Sequence, residues 1–417
     1  MNRRSSSHTA EIIGIGTELL LGQIANTNAQ RISAALAAIG VDVYFHSVVG
    51  DNLERVSSTI QTAVGRADVV ILTGGLGPTP DDLTREGVAV AFGLSLRRDA
   101  ELESVIRGIF ERLNRPMPDE NLRQADLPET ATPIAPEGTA PGFSIEHGGT
   151  LLFALPGVPW EMDAMLAKTV LPELRTRAGE SVIFSREILV VGLGESRTHE
   201  KIADIVAAQS NPTIAYLASA AQVRVRVSAK APTESAARAL IEPVERQIRG
   251  RLGDDALPGD HGSVAATLAA LLREREATVG CAESLTGGLL GSELTAAGGA
   301  SDFFKGSLVC YSNDAKRDIA GVDPAILDGP GAVSEEAAAA LAEGATGRLD
   351  ADLGLGTTGV AGPAEEEGKP VGTIFVASCF GGRTEVRHVL GYGDRDHVRR
   401  IAVTSALDLG RRMLQVG

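Results

Sequence analysis

The chain has 417 residues, 43% hydrophobic and 22% charged, with a formal net charge of −15. That length exceeds one ordinary hydrophobic core, so two or three domains are expected, and no run approaches the roughly 20 apolar residues of a membrane span. The acidity argues against broad adhesion to nucleic acid or anionic lipid, although loop amides and helix N-termini can still hold a small anion.

Met1 to Thr9 carries arginines and serines with no apolar segment behind them, so it reads as a frayed tail and not a signal peptide. From Ala10 to about Pro172, apolar runs (Glu11–Ile15, Val43–Val48, Val69–Thr73, Leu151–Leu155) alternate with amphipathic stretches around Asn26–Ile39, Leu53–Val64 and Asp81–Phe92. Continuous apolar strands separated by helices predict a mostly parallel sheet covered on both faces. Residues 114–142, polar and proline-rich, form an irregular excursion.

The character changes near Glu173. Gln222–Ala229 alternates valine with polar residues, a strand with one wet face. With a strand at Ile188–Val191 and helices over Glu195–Ala208 and Thr233–Gly250, the segment reads as a small α+β domain. Its basic and acidic residues nearly balance, so it is either an RNA-binding-like fold or a spacer, and the lack of interleaved aromatics favours the spacer.

Leu257–Gly262 is turn-rich. Beyond it, helices at Ser263–Arg273, Thr286–Thr295, Ser334–Gly344 and Asp396–Leu414 alternate with strands at Thr278–Ala282, Gly306–Tyr311, Leu353–Gly356, Gly372–Cys379 and Val386–Leu390. This is again α/β. The expected domains are 1–172, 173–256 and 257–417. Cys281, Cys310 and Cys379 form no CxxC pair and read as buried small hydrophobes in a reducing cytoplasm.

Two constellations carry chemistry. In Val69–Thr84, a strand runs into Thr73-Gly74-Gly75-Leu76-Gly77-Pro78-Thr79 and then Asp81-Asp82. The glycines let the backbone approach a ligand and expose its N–H groups. The two aspartates are either a helix cap with a first-turn acid or hard-metal ligands beside a phosphate. In the second, Thr278–Leu290, Ser284 follows a strand and precedes a helix whose N–H groups could hold an oxyanion or phosphate. Taken alone, Ser284 reads as a helix N-cap. As a nucleophile it needs a base, and Tyr311-Ser312-Asn313-Asp314-Ala315-Lys316 supplies a lysine. Desolvation beside the tyrosine can bring that lysine's pKa toward neutral.

GTELLLGQIANTN, VVGDN, TGGLGPTPDDLT, GTAPGF and LPGVPWEM, over residues 10–172, resemble the molybdopterin-binding domain of the CinA (competence/damage-inducible protein A) family. The resemblance implies a three-layer molybdopterin-binding-like fold and, in several relatives, metal-dependent ADP-ribose pyrophosphatase activity; the alternative is a domain that only binds a pterin-like or nucleotide ligand. It implies Asp51 and Asp82 as ligands of a divalent metal. It implies an anion-binding turn of Thr73, Gly74, Gly75, Gly77 and Thr79, with Glu18 and Glu161 as further candidates. Pro133–Glu137 departs from the pattern in lacking an asparagine.

AESLTGG, YSNDAK, TTGVAGP, KPVGT and GDRDHVRR, over residues 260–415, resemble the nicotinamide mononucleotide deamidase domain that ends proteins of the same family. This implies Ser284 as nucleophile, Lys316 as general base and Tyr311 in support, with no cofactor. Thr286, Gly287, Gly288, Thr357, Thr358, Gly359, Ala361 and Gly362 are then expected to hold the substrate, with Arg399 or Arg400 toward its phosphate. Glu365, Glu366 and Glu367 stand where more glycine is expected, and should face solvent. The resemblance further implies a homodimer in pyridine nucleotide salvage, while hydropathy and charge predict no membrane entry and no direct nucleic acid binding. The alternative is a non-catalytic adaptor in competence or DNA-damage response, with a partner such as the RecA recombinase.

Overall fold

The computed structural model describes residues 9–177, 182–219, 221–296 and 298–416; the tail reading of Met1–Thr9 falls, but for Thr9, outside them. Two compact units are present. One comprises the described residues up to Phe184 with Ala229–Ala239, and the other Ser185–Ser228 with the residues from Leu240 on.

The first unit contains β1 (Thr9–Ile15), β2 (Asp42–Val49), β3 (Val69–Thr73), a short pair β4 (Leu96–Arg98) and β5 (Asp126–Pro128), then β6 (Thr132–Ile134), β7 (Gly142–His147) and β8 (Thr150–Leu155). The main sheet has the order β2-β1-β3-β8-β7-β6. Its β2, β1, β3 and β8 run parallel, with β7 and β6 added antiparallel. β3 and β8 are buried along their whole length, which is why they read as unbroken apolar runs.

Alternate residues feed opposite faces. Ile12, Ile71 and Phe153 meet Ile32 and Leu36 of helix Thr27–Ala37 and Met162 of helix Pro159–Met165. Ile13, Leu72 and Leu152 meet Val56 and Ile60 of helix Leu53–Val64, Val88 of Thr84–Phe92 and Ile106 of Ala100–Arg112. The result is three layers. Each fully buried side chain of this size contributes about 1.5–3 kcal/mol, and a slip of one residue would exchange the two faces.

The structure departs from expectation in three places here. The helix expected from Asp81 starts at Thr84, leaving both aspartates in the preceding turn. The irregular excursion contains a 3₁₀ segment, Asp119–Ala125, and the short strands β5 and β6. A helix from Pro159, unassigned in the sequence, continues through a wide turn at Leu166–Val170 to Arg177. Its proline occupies the first turn, where a missing N–H costs nothing.

The middle segment is a three-stranded sheet of order β10-β11-β9, from β9 (Val182–Val191), β10 (Thr213–Ser219) and β11 (Gln222–Ala231), with helices Glu195–Ala207 and Glu234–Leu252. Val223, Val225, Val227 and Ala229 are buried, as their alternation predicts. β10 was not foreseen. None of its residues is buried, so it carries no clear period-two signal.

The C-terminal sheet has the order β13-β12-β14-β15-β16, from β12 (Val279–Glu283), β13 (Phe304–Val309), β14 (Leu353–Gly359), β15 (Thr373–Phe380) and β16 (Arg383–Leu390). The central β12 is parallel to both neighbours, and β15 and β16 are antiparallel additions. Helices Val264–Glu274, Leu289–Thr295 and Arg395–Val416 cover one face. The alanine-rich helix Glu335–Leu349 covers the other so closely that a Cβ on Gly354 would lie 2.0 Å from the Ala342 carbonyl oxygen. The three cysteines are free and buried, and no described helix is long and apolar enough to cross a membrane.

Candidate functional site

Parallel register places Gly14 beside Thr73, and Thr73 beside Leu155. The loops after β1, β3 and β8 therefore leave the sheet at its carboxyl edge, where ligands of open α/β sheets bind. They enclose a cavity of about 500 Å³ lined by Glu18, Asp51, Thr73, Gly74, Gly75, Gly77, Asp82 and Glu161, whereas Thr79 is exposed and not part of the lining.

The turn admits only glycine at its start. Gly74 has φ 107°, and a Cβ there would lie 2.1 Å from the Ile15 carbonyl oxygen. The turn's carbonyls are held on the protein side. Thr84 Oγ1 donates to Gly74 O (2.7 Å), and Arg85 donates to Leu76 O and Gly77 O (both 2.8 Å). Arg85 is 1% exposed, so a guanidinium sits beneath the turn and adds to the attraction for an anion.

Asp82 caps no helix. Its Oδ2 accepts from the Thr79 amide (2.9 Å) and hydroxyl (2.5 Å), and Asp51 Oδ2 accepts from the Thr17 amide (2.8 Å). Each carboxylate keeps one oxygen uncommitted by these bonds. Glu161 is nearly enclosed, and burial pushes its carboxyl above the usual range against the opposing pull of the Thr139 amide. Among the described residues no three His, Cys, Asp or Glu side chains converge to hold a metal. Asp51 and Asp82 thus fit a hard cation only as a partial set, completed by phosphate oxygens in the manner usual for Mg²⁺.

In the C-terminal sheet, Glu283 pairs with both Val309 and Thr357. The three chains leave the sheet together into a cleft of about 420 Å³ that Ser284, Tyr311, Lys316 and Thr358 share with the Gly359–Gly362 loop. Ser284 is held by its amide, which donates to Thr357 O (2.9 Å). It is not an N-cap, because the helix begins only at Leu289, after Gly288 at φ 96°.

The N–H groups at that helix start are occupied. The fully buried Glu283 carboxylate accepts from the amides of Gly288 (2.9 Å), Leu290 (3.0 Å) and Gly291 (2.9 Å) and from the Ser307 hydroxyl (2.6 Å). The helix N-terminus expected to serve an oxyanion or phosphate is therefore closed from within. The amide of Leu285, a cleft residue, has no acceptor among the described residues.

Lys316 opens a wide helical turn, Lys316–Ala320, that follows Asn313–Ala315; such π-type turns recur at functional positions. It is 3% exposed. Burial lowers its pKa, opposed by Glu366, Cys310 and Glu367, yet no carboxylate among the described residues comes within ion-pairing distance. Tyr311 is exposed, and its Oη accepts from Arg395 Nη2 (2.7 Å); Arg395 also donates to Gly362 O. The Thr358 hydroxyl donates to Ala332 O (2.6 Å).

Other expected contacts lie elsewhere. Arg399 is a brace, donating to the carbonyls of Leu285 (3.2 Å) and Thr286 (2.6 Å), and Arg400 pairs with Asp396 (2.7 Å). The guanidinium in the cleft is that of Arg395, in the same GDRDHVRR string. Thr286 and Thr357 share a buried hydroxyl contact (2.8 Å), and neither they nor Gly287 and Gly288 line the cleft. All three glutamates are exposed, yet two of them also face the protein. Glu366 lines the cleft, and Glu367 turns back to accept from the amides of Ala332 (2.9 Å) and Val333 (3.0 Å). Although burial alone would raise its pKa, those amides and Lys369 hold it below the usual range.

The fold and geometry define a class: a three-part α/β protein with a glycine-turn cavity at one sheet edge and a serine–lysine cleft at another. Three family models match it, described as the probable molybdopterin binding domain (residues 11–176), the damage-inducible protein CinA KH domain (185–256) and the CinA C-terminal domain (261–414). A CinA-like protein of Frankia casuarinae is 46% identical over 97% of this chain and 96% of its own length. A putative competence-damage inducible protein of Moorella thermoacetica is 43% identical over 97% of this chain and 99% of its own. The crystal structure of a protein CinA of unknown function from Thermoplasma acidophilum is 36% identical, with TM-score 0.37, over 41% of this chain and 99% of that one. The chain belongs to the CinA family.

Proposed function

We propose that the C-terminal cleft hydrolyses the carboxamide of nicotinamide mononucleotide to nicotinate mononucleotide and ammonia. The observation that carries this reading is Lys316: an almost fully buried amine with no carboxylate at ion-pairing distance among the described residues, lining the same cleft as Ser284. Burial favours its neutral form. Neutral Nζ takes the proton of the Ser284 hydroxyl as Oγ attacks the carboxamide carbon. The oxygen turns anionic, and the Leu285 N–H is the free main-chain donor beside it. Collapse of the tetrahedral adduct expels ammonia, which takes the proton back from Lys316. Water then attacks the ester, giving up its proton through the same amine, and Ser284 is restored.

Arg395, placed with Tyr311 at the cleft, supplies the cation for the substrate phosphate in place of Arg399 or Arg400. Ammonia release should be measured for wild type, Ser284→Ala and Lys316→Ala. Loss of a base alone costs roughly 10²–10⁴-fold, so near-wild-type turnover in either variant overturns the mechanism. A partner captured by a turnover-incompetent wild type would favour the adaptor reading.

The N-terminal cavity is read as a phosphoanhydride site for ADP-ribose. The amides of Gly75, Leu76 and Gly77, which have no acceptor among the described residues, would hold the diphosphate over buried Arg85, the Gly74 amide being taken by Leu155 O (3.1 Å). A divalent ion on Asp51 and Asp82, when bound, would supply Lewis-acid polarisation of the phosphoanhydride. Cleavage of ADP-ribose by Asp82→Ala, with and without divalent metal, tests this. Undiminished, metal-responsive cleavage by the variant rejects the assignment.

A further inference from the structure

A third cavity, of about 570 Å³, lies in the second unit and belongs to neither site above. Its walls combine Gly192 and Leu193, just after β9, with Arg387 and Leu390 of β16, Tyr392 and Arg412. It falls within the 300–1,000 Å³ typical of small-ligand sites and exceeds the serine–lysine cleft.

Its wall carries two arginines, Arg387 and Arg412, against one carboxylate, Asp255, on an otherwise acidic chain. Asp408, fully buried, accepts at Oδ2 from both Arg387 (3.1 Å) and Arg412 (2.9 Å), and at Oδ1 from Arg411 (3.0 and 2.6 Å). Arg412 also reaches Asp255 (3.1 Å), which holds Lys201 (2.9 Å). Four cations thus meet two carboxylates, in a chain whose formal charge is −15. The protein neutralises this cluster only in part.

The donors are arranged for an anion. Two guanidiniums converge on one carboxylate oxygen, so their planar forks are neighbours, and both side chains keep about a third to a quarter of their surface open (33% and 26%). Arg387 spends one N–H on Asp408, and its remaining donors have no protein acceptor among the described residues. Guanidinium forks match phosphate oxygens in pairs. Beside them Tyr392 and Leu390 are 66% and 73% exposed, an aromatic ring and an apolar side chain left in water at the same wall. A tyrosine face suits a flat heterocycle.

We propose that this cavity binds a nucleoside phosphate, its phosphate on Arg387 and Arg412 and its base against Tyr392. The ligand would act as an effector, because the chain that forms this wall runs on into the cleft. Tyr392 lies three residues before Arg395, whose guanidinium is bonded to Tyr311 and to Gly362 O. A ligand that holds Tyr392, just beyond the end of β16, therefore constrains Arg395. The binding claim stands independently of the amidase reading.

Hydrogen exchange of the full chain with ADP as probe tests it, since exchange reports each site separately. Millimolar ADP should protect peptides spanning 187–194 and 385–392, which stop short of Arg395 in the cleft. Adenosine, lacking the phosphates, should protect them far less. Arg387→Gln should weaken that protection at least about tenfold in ADP concentration, and exposed Tyr392→Ala should weaken it without loss of fold. Protection of the 73–82 turn should persist in both variants. Absence of ADP protection at 187–194 and 385–392, protection equal with adenosine, or protection unchanged in both variants overturns the proposal.

Discussion

Glu283→Gln should loosen the turn that presents Ser284 while leaving the nucleophile itself unaltered. In the native turn, the Glu283 carboxylate accepts three main-chain N–H bonds at 2.9–3.0 Å and one from Ser307, at zero exposure. A glutamine keeps one carbonyl oxygen, enough for the pair Gly288 and Leu290 that share Oε2. Its NH₂ then faces the Gly291 N–H, donor against donor, while the Ser307 hydroxyl can rotate to accept. One charge-assisted bond is lost at about 1.5–3 kcal/mol and the rest weaken as the charge disappears, for a total of about 3 kcal/mol. At 1.4 kcal/mol per tenfold, amide protection at Gly288, Leu290 and Gly291 should fall by roughly two orders of magnitude in native-state hydrogen exchange. Ammonia release from nicotinamide mononucleotide should fall with it, as kcat more than KM. Unchanged protection at those three amides would refute the claim that Glu283 holds the turn.

Lys316→Met should abolish ammonia release, and the wild-type rate should rise with pH through a lysine pKa below the ordinary 10.5, then level off. The linked stability has the same sign. The unfolded chain keeps this proton to about 10.5 while the folded chain loses it earlier, so stability rises with pH between the depressed value and 10.5; pH-dependent melts should show that increment missing in the methionine variant. Arg395→Ala should raise KM for nicotinamide mononucleotide at least about tenfold yet spare the phosphate-free riboside. Arg399→Ala should instead lower the thermal stability of the Leu285–Gly288 turn, and an equal KM effect from both would reject the assignment of Arg395. Asp408→Asn leaves three guanidiniums sharing an uncharged amide and should cost about 3–5 kcal/mol, read as a lowered denaturation midpoint; a loss below about 1 kcal/mol would mean the arginines find other partners.

Much of the architecture was legible because burial writes itself into short-range pattern. β3 and β8 are covered on both faces and read as unbroken apolar runs, whereas β11 has one wet face and alternates. β10 escaped because none of its residues is buried, and the helix after Pro159 because its buried Glu161 and exposed Trp160 blur its apolar stripe. Helix starts shifted for a different reason. Asp82 and Ser284 have cap-like side chains, but the glycine turns beside them delay helix entry to Thr84 and Leu289.

The amino-acid order by itself determined most of the strands and helices outside β10, the 114–142 excursion and the helix from Pro159, that two glycine turns follow strands, and that Ser284, Tyr311 and Lys316 are the residues to watch. Those features are local, set by side-chain period and by backbone conformations open only to glycine. Tertiary structure alone decided that Lys316 is enclosed, that Glu283 consumes the helix N-terminus behind Ser284, and that Arg395 faces the cleft while Arg399 braces its floor. Arg395 and Arg399 lie one helical turn apart, so spacing cannot tell them apart. Only the partners that the fold brings against each guanidinium, Tyr311 for one and the carbonyls of Leu285 and Thr286 for the other, give the two arginines different roles.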